Sequence, residues 1–171
     1  YYALSKYRKR LGKERREILE PIDKAVEMYP DDYELYAYRA LLRSFDDYKG
    51  QKDDYKKVIE INPNLPYFHA RITFPLMQLK SYQEAVYHSS KALEMNPEGD
   101  DSRGLYKDRG KSYLALKNYN EAIKDINTYI QLSIDPHLDH FRISFHEQML
   151  SFAYLDRAKA KRAIGDLKGF A

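Results

Sequence analysis

The chain contains no cysteine and no tryptophan, and its 171 residues include only seven glycines and seven prolines. The lack of cysteine excludes disulfide bonds and cysteine-ligated zinc sites. The few glycines and prolines leave room for long helices and short turns, and no strand-like alternation or hairpin signal interrupts them. No apolar run approaches the roughly 20 residues that span a bilayer, and no signal peptide is visible. These absences predict an all-α protein.

Sequence signatures of catalysis are also missing. The chain has no Gly-rich phosphate loop, no GxSxG motif and no cysteine nucleophile. One titratable cluster, formed by His137, Asp139, His140 and His146, follows Pro136. Two histidines three apart on a helix share a face, as in a metal-binding pair, but no third ligand stands at a fixed spacing. We therefore predict no enzyme activity, no metal and no cofactor, and interpret this cluster as a polar helix start.

Four prolines divide the sequence at nearly regular intervals. Pro30, Pro63, Pro97 and Pro136 each close an apolar stretch rich in Lys and Glu, at separations of 33, 34 and 39 residues. This period is typical of helical solenoids, in which a unit of two short helices buries its apolar face only by stacking on its neighbours. Such arrays are elongated and bind other molecules on a curved surface. The spacing therefore predicts binding but does not identify the partner.

The segments before these prolines share further features. They are ILEPIDKAVEMYP (18–30), DDYKKVIEINP (53–63), SYQEAVYHSSKALEMNP (81–97) and NYNEAIKDINTYIQLSIDP (118–136). These segments resemble the second helix of tetratricopeptide repeats, where an aromatic residue opens the helix, small residues recur where backbones approach, and proline stops it. The aromatic positions are Tyr48, Tyr82 and Tyr119, and the small positions are Ala25, Ala85, Ala92 and Ala122.

The first helix of each unit matches this family less closely. The family's small residue is found at Ala40, Gly110 and Ala158, whereas Thr73 replaces it in the third unit, and no unit has the family's tryptophan. The resemblance implies an all-α, right-handed helical-repeat solenoid of about four and a half helix-turn-helix units. Tetratricopeptide proteins generally bind peptides or protein surfaces and rarely carry chemistry. The resemblance therefore implies that this chain is a non-catalytic protein-protein interaction scaffold.

Apolar periodicity and helix-breaking residues position the units and their helices. We predict one array over 1–171, with units at approximately 1–30, 31–63, 64–97, 98–136 and an incomplete 137–171. First helices are expected near 2–11, 32–45, 66–79, 102–116 and 138–164, and second helices near 14–29, 48–61, 82–96 and 119–133. The last first-helix contains neither Gly nor Pro up to residue 164, so we expect one long helix or a short extra one. The chain starts without Met and ends just after a turn, as expected of a piece of a longer protein.

The resemblance also implies that the first helices form a concave binding wall. Helical spacing of three and four from the small residue then selects the side chains on that wall. They form an aromatic section followed by a basic section, which suits an extended peptide with apolar anchors and acidic groups. The peptide-binding candidates are Tyr38, Phe45, Tyr67, Arg71, Phe74, Lys107, Lys111, Lys159 and Arg162.

One specialised use of such a groove can be checked directly in the sequence. The clamp that grips the acidic C-termini of heat-shock chaperones places two asparagines beside the small residue of successive first helices. The corresponding positions here hold Leu41, Phe74, Lys111 and Lys159 after the small residue, and Tyr38, Arg71, Asp108 and Asp156 two before it. Without the amides, the bidentate grip on a terminal carboxylate is not reproduced. A chaperone tail is therefore not the expected ligand.

Two alternative partners stay open at this stage. Nucleic acid would meet the basic runs KYRKR (6–10) and RAKAKR (157–162) while tyrosines stack on bases. The 26 acidic residues spread among 29 basic ones leave a net charge of only +3, which argues against this partner. Self-association is the second alternative, because Phe152, Leu155 and Ile164 are expected to be exposed on an incomplete last unit. The partner prediction is thus a protein or extended peptide, acidic in part, with a homo-oligomer as the competing arrangement.

Overall fold

The structure, a computed structural model, describes residues 17–43, 46–133 and 140–166. For residues 140–149 it describes the backbone alone. Within these ranges the chain forms eight α-helices and no strand, which confirms the predicted all-α helical-repeat solenoid. The helices are α1 (17–28), α2 (Tyr33–Leu42), α3 (Tyr48–Ile61), α4 (Pro66–Gln78), α5 (Tyr82–Met95), α6 (Ser102–Ala115), α7 (Tyr119–Ser133) and α8 (His140–Ala163). No helix in these ranges has the length and apolarity needed to cross a membrane.

The predicted helix positions are confirmed to within three residues at the ends that the structure describes. The segment predicted as one long helix or two is a single helix, α8, of 24 residues. The predicted helix at 2–11 and the candidate Phe45 lie outside the described residues. We refer to the pair α2 and α3 as unit two, α4 and α5 as unit three, α6 and α7 as unit four, and α8 as unit five.

The helix starts follow from local sequence. Asp32 accepts a hydrogen bond from the Glu34 N–H at 3.0 Å, and Asp47 accepts one from the Gly50 N–H at 3.0 Å. Each carboxylate thereby caps a backbone donor that has no partner within its helix. Pro66 begins α4, where the missing N–H costs nothing because the first helical turn leaves that donor unpaired.

Two turns within the units, and the turn after α8, share one backbone geometry. Lys80, Lys117 and Gly165 have positive φ values of 59°, 63° and 75°. The following amide then donates back to the helix five residues earlier, from Ser81 N to Leu76 O at 2.8 Å. The equivalent bonds run from Asn118 N to Tyr113 O at 2.9 Å and from Asp166 N to Lys161 O at 3.0 Å. This hydrogen-bonded ending satisfies the last carbonyls of α4, α6 and α8 in the same way.

The helices stack so that the first helices lie on the inner side of the curve. Each of α3 to α8 packs against the helix before it, and in addition α4 contacts α6 and α6 contacts α8. No such contact joins α3 to α5 or α5 to α7 in the described ranges. In a curved stack, the elements that approach one another lie on the concave side. The first helices α4, α6 and α8 therefore form the concave wall, as the sequence resemblance implied.

Small residues sit where helices come closest. Ala40 and Thr73 are each 1% exposed, and Gly110 is buried as well. A Cβ added at Gly110 would lie 3.1 Å from Cγ1 of Ile126 and 3.3 Å from Cβ of Asp125. The backbone of α6 therefore packs directly against side chains of α7 at this point. The small positions predicted for the first helices of units two to four are thus buried at the helix-helix contacts.

A polar clamp of one composition recurs in units two and four. Arg39 of α2 donates to Asp54 of α3 through Nε at 3.0 Å and Nη2 at 2.6 Å, and Arg109 of α6 binds Asp125 of α7 through Nε at 2.7 Å and Nη2 at 2.8 Å. Both carboxylates are buried. Each guanidinium also lies over a tyrosine one turn earlier, at 5.5 Å from the ring of Tyr36 and 5.4 Å from that of Tyr106. We call this arrangement the Tyr–Arg–Asp clamp.

Each clamp also reaches the preceding second helix through the remaining guanidinium nitrogen. Nη1 of Arg39 donates to Asp23 of α1 at 2.9 Å, and Nη1 of Arg109 donates to the Ser90 hydroxyl of α5 at 3.1 Å. One arginine thus connects its own unit to the one before it. This arrangement was not predicted, although its signal is visible in the sequence: the arginine follows the tyrosine by three residues in both first helices.

Unit three has different residues at the three clamp positions. Counting from its small residue Thr73, the tyrosine and arginine positions hold His69 and Ile72, and the aspartate position holds His88. The two imidazoles are buried with their Nδ1 atoms 2.9 Å apart, and Nε2 of His69 lies 3.2 Å from the Pro63 carbonyl oxygen. A carbonyl only accepts, so Nε2 of His69 carries hydrogen; its Nδ1 then accepts from Nδ1–H of His88. Both rings are neutral in this arrangement.

Candidate functional site

The candidates on α4 face α6 across an open cleft. Arg71 and Phe74 line this cleft of about 160 Å³ together with Gly104 and Asp108 of α6. Since α4 and α6 are first helices of successive units, this cleft lies on the concave wall. The structure therefore brings two of the predicted binding residues to the predicted surface.

A second cleft of about 230 Å³ continues the first toward the start of α4. It is lined by Tyr67 and by residues of the α5–α6 turn, and it shares Ala70, Asp101 and Leu105 with the first cleft. The shared lining makes the two clefts one continuous depression. We call it the α4–α6 groove.

Arg71 is held in the groove by stacking. Its guanidinium carbon lies 4.7 Å from the ring centre of Tyr67, and no ion pair joins it to a carboxylate in the described part of the chain. The ring of Phe74 packs edge-on against that of Tyr48 of α3, with the two ring centres 5.9 Å apart. Phe74 is nevertheless 50% exposed, and Tyr67 is 42% exposed. The groove thus presents a positioned cation between two aromatic surfaces that water still reaches.

The predicted basic residues of α6 lie one unit further along the wall. Lys107 and Lys111 line a small cleft of about 30 Å³ with Phe152 and Asp156 of α8. Lys111 is exposed and forms no ion pair among the described side chains, whereas Lys107 lies 3.7 Å from the adjacent Asp108. This second depression, the α6–α8 cleft, combines an aromatic edge with two cations.

Carboxylates interrupt the section of the wall that was predicted to be basic. Burial raises the pKa of Asp108, and Lys107 and Lys111 offset part of that rise. Asp101, directly before α6, lines the α4–α6 groove on the same side as Asp108. Asp156 accepts a hydrogen bond from Nζ of Lys159 at 3.2 Å. The wall after the aromatic section is therefore of mixed charge. The signal was present, because both Asp108 and Asp156 stand two residues before a small position.

The remaining predicted residues lie on the same series of helices but line neither depression. Tyr38 is 58% exposed on α2, which does not contact α4 in the described ranges. Lys159 and Arg162 are exposed on the C-terminal half of α8. The structure thus groups Tyr67, Arg71 and Phe74, groups Lys107 with Lys111, and leaves the rest as separate exposed side chains. Their role in binding stays a prediction.

No protein-family model matches the chain. Solved structures do match it, with low sequence identity. YrrB, described as a TPR protein with an unusual peptide-binding site, is 14% identical and superposes with a TM-score of 0.71 over 91% of this chain and 72% of YrrB. MamA is 14% identical, with a TM-score of 0.67 over 93% of this chain and 84% of MamA. The TPR2B domain of yeast Sti1, solved in complex with pHsp70, is 17% identical, with a TM-score of 0.57 over 73% and 98% of the two chains.

These similar structures are tetratricopeptide-repeat proteins, and the chain accordingly has the tetratricopeptide-repeat fold. The resemblance drawn from the second-helix segments is confirmed at the level of fold. With identities of 14% to 17%, the likeness extends to the architecture and not to the ligand.

Proposed function

We propose that this protein is a non-catalytic interaction scaffold that binds an extended peptide or protein segment in the α4–α6 groove. One observation carries the proposal: a guanidinium without a carboxylate partner in the described structure is held over Tyr67 beside the exposed ring of Phe74. An aromatic anchor next to a positioned arginine is the composition of energetically dominant sites at protein interfaces. Shape, apolar anchoring and charge complementarity do the work, and no bond is made or broken.

The groove lining defines the chemistry of the ligand. Arg71 suits an acidic side chain or a terminal carboxylate, since its planar fork donates two parallel hydrogen bonds. Phe74 and Tyr67 suit an apolar or aromatic side chain of the same ligand. Asp101 and Asp108, on the facing α6 side, disfavour a second acidic group and favour a basic side chain or a backbone N–H. We therefore expect a peptide with one acidic and one apolar residue followed by a neutral or basic residue.

The similar structures support a peptide ligand without identifying it. YrrB is described as having a peptide-binding site, and the Sti1 domain was solved in complex with pHsp70. The asparagines of the chaperone-tail clamp are absent from the corresponding positions here. A different peptide class is consequently the better expectation for this chain.

A peptide array tests the proposal. Arrayed peptides would vary the acidic, apolar and basic positions, and wild type would be compared with Arg71→Ala and Phe74→Ala. Matched controls are Lys124→Ala on α7 and Tyr87→Ala on α5, which remove an exposed cation and an exposed aromatic from second helices. We expect selective binding that both groove variants lose and both controls keep.

Three outcomes would contradict the proposal. The first is a complete absence of selective peptides. The second is equal binding by the groove variants and the controls. The third is a preference for nucleic acid whose affinity falls steeply with salt, because such a dependence reports phosphate contacts.

A further inference from the structure

Helix α8 carries the first half of the Tyr–Arg–Asp clamp. Its small residue Ala158 follows Arg157 directly and Tyr154 by four positions, the same spacing as in α2 and α6. The Arg157 guanidinium lies 5.0 Å from the Tyr154 ring centre, close to the values of the two complete clamps. The backbone turn after α8 also has the geometry found after α4 and α6. Helix α8 is therefore a first helix in its chemistry as well as in its position.

The second half of the clamp is missing at α8. Arg157 donates through Nη1 to Oδ1 of Asn127 at 3.0 Å, which is the bond to the preceding second helix that Arg109 makes with Ser90. No carboxylate among the described side chains forms an ion pair with Arg157. In unit four, Asp125 fills that role from the helix that follows. Arg157 is therefore bonded to the preceding second helix, as Arg109 is. The carboxylate that a following helix would supply is not among the described residues.

Burial shows the same unfilled position. Tyr154 is 43% exposed, whereas Tyr36 at the equivalent place in unit two is 8% exposed. Ala158 is partly exposed, whereas Ala40 is 1% exposed. Leu155 adds an apolar side chain that is 52% exposed. An arginine, a tyrosine ring and a small residue thus face outward where units two and four place a second helix.

The two complete clamps specify which helix fits this face. In α3 the clamp aspartate Asp54 is followed by buried Tyr55 and Val58, and in α7 the equivalent Asp125 is followed by buried Ile126 and Tyr129. Both therefore read Asp, apolar, two variable residues, apolar, all on one helical face. Such a helix brings a carboxylate to the arginine and apolar side chains to the surface beside it.

We infer that the outer face of α8 binds a partner helix of the pattern Asp-apolar-x-x-apolar, whose carboxylate completes the clamp on Arg157. Charge complementarity and the repeat geometry of the chain itself identify this occupant. The site is separate from the α4–α6 groove and does not depend on the function proposed for it.

The inference can be tested with a peptide of known sequence. The probe is a fluorescently labelled synthetic peptide of residues 118–133, NYNEAIKDINTYIQLS, which contains the pattern. Anisotropy titration with the whole chain should give saturable binding. We expect at least tenfold weaker binding for the Asp125→Asn peptide, and an equal loss when wild-type peptide meets Arg157→Gln protein. Combining both changes should cost little more than either alone, because they remove one interaction.

Controls separate this pairing from other events. Arg103→Gln removes an exposed arginine of α6 and should leave binding unchanged. Arg157→Lys keeps the charge but not the planar fork, so it should retain part of the affinity, and circular dichroism should show that every variant is folded. A peptide that replaced α7 would pair its aspartate with Arg109, so the two losses would add fully.

Additive losses would therefore overturn the inference, as would a lack of saturable binding. A protein that sediments as a dimer, and becomes a monomer in Arg157→Gln, would also overturn it, because the face would then be occupied by a second copy.

Discussion

Units two and four place Tyr, Arg and Asp at the positions where unit three places His69, Ile72 and His88. In units two and four, a bidentate ion pair with a buried carboxylate joins the two helices. In unit three they are joined by one hydrogen bond between the Nδ1 atoms of two neutral imidazole rings, 2.9 Å apart. An arginine keeps its charge across the ordinary pH range, whereas an imidazole pair gains charge on acidification. The same backbone positions therefore give two units an arginine–carboxylate clamp and one unit a histidine pair that gains charge on acidification.

One member of the histidine pair of unit three lies on the same helix as residues of the α4–α6 groove. Arg71 and Phe74 belong to α4, the helix that also carries His69, so the proposed binding residues lie on the one described pair of helices without an ion-pair clamp. The His pair joins α4 to α5 on the side of α4 that packs into the unit. Conditions that weaken the histidine pair should consequently loosen the helix that carries the proposed binding residues.

Removing a clamp carboxylate should give the largest effect. Asp54 accepts hydrogen bonds from Arg39 and from Arg43, the latter at 2.6 Å from Nε. Asp54→Asn removes the buried carboxylate that both guanidinium groups share and leaves them only the more exposed Asp23 and Asp47. We expect a loss of about 3 kcal/mol in the free energy of unfolding. Urea denaturation followed by circular dichroism measures it. The neighbouring Asp53→Asn is the matched control, because its side chain is 53% exposed and pairs with Lys52 on the surface.

Acidification should produce the next largest effect through unit three. Burial, followed by the nearby His69, lowers the pKa of His88 from 6.5 to about 4; Lys56 adds to the lowering and Glu84 opposes it. Burial and Lys91 also lower the pKa of His69, against the Pro63 carbonyl. As the pH falls, the unfolded chain, whose histidines keep their ordinary pKa, binds protons before the folded chain does. The folded state is therefore fully stable with respect to this pair above about pH 6.5 and loses stability as the pH falls toward 4.

The shift at His88 alone corresponds to a loss of about 3 kcal/mol, from 1.36 kcal/mol per pKa unit. Urea unfolding at a series of pH values measures it in wild type and in His88→Gln. The variant should be less stable at pH 7 but should lose less on acidification. An equal pH dependence in both proteins would show that the pair is not the titrating element.

Two glycines of α6 should respond to alanine with opposite signs. Gly104 has nothing within 4 Å of an added Cβ, so Gly104→Ala should stabilise the protein by about 0.5 to 1 kcal/mol through helix propensity. At Gly110 the methyl would press on Ile126 at 3.1 Å, inside the contact that the unit-four clamp spans. We expect Gly110→Ala to destabilise by about 1 kcal/mol. Thermal unfolding of both variants checks the signs, and stabilisation at Gly110 would mean that α7 yields easily.

The smallest effect should come from an ion pair of similar length but different surroundings. Lys91 and Glu94 are 2.8 Å apart on the exposed face of α5, almost the distance found between Arg109 and Asp125. Water and salt screen the exposed pair, so Lys91→Ala should leave the urea midpoint unchanged within error. A clear loss at Lys91 would contradict the view that burial, rather than distance, decides what a clamp contributes.

The fold was predictable from sequence because its signals are local. Prolines at regular intervals, apolar periodicity and the recurring small residues define helices whose bounds the structure reproduces to within three residues. The clamps were not foreseen, because Arg39 and Asp54 meet only after two helices fold back on each other. That Asp108 lines the same groove as Arg71 was not predicted for a related reason, because it depends on how α6 packs on α4. Spacing within one helix predicts which residues share a face, but not which faces meet.

Amide chemical-shift mapping would show whether a peptide binds in the α4–α6 groove, as proposed. A ¹⁵N-labelled chain would be titrated with the peptide selected on the array. Binding in the groove predicts that the largest shift changes fall in residues 67–74 of α4 and 101–108 of α6, with little change on the outer faces of α5 and α7. Changes concentrated on the second helices, with α4 and α6 unaffected, would contradict the claim.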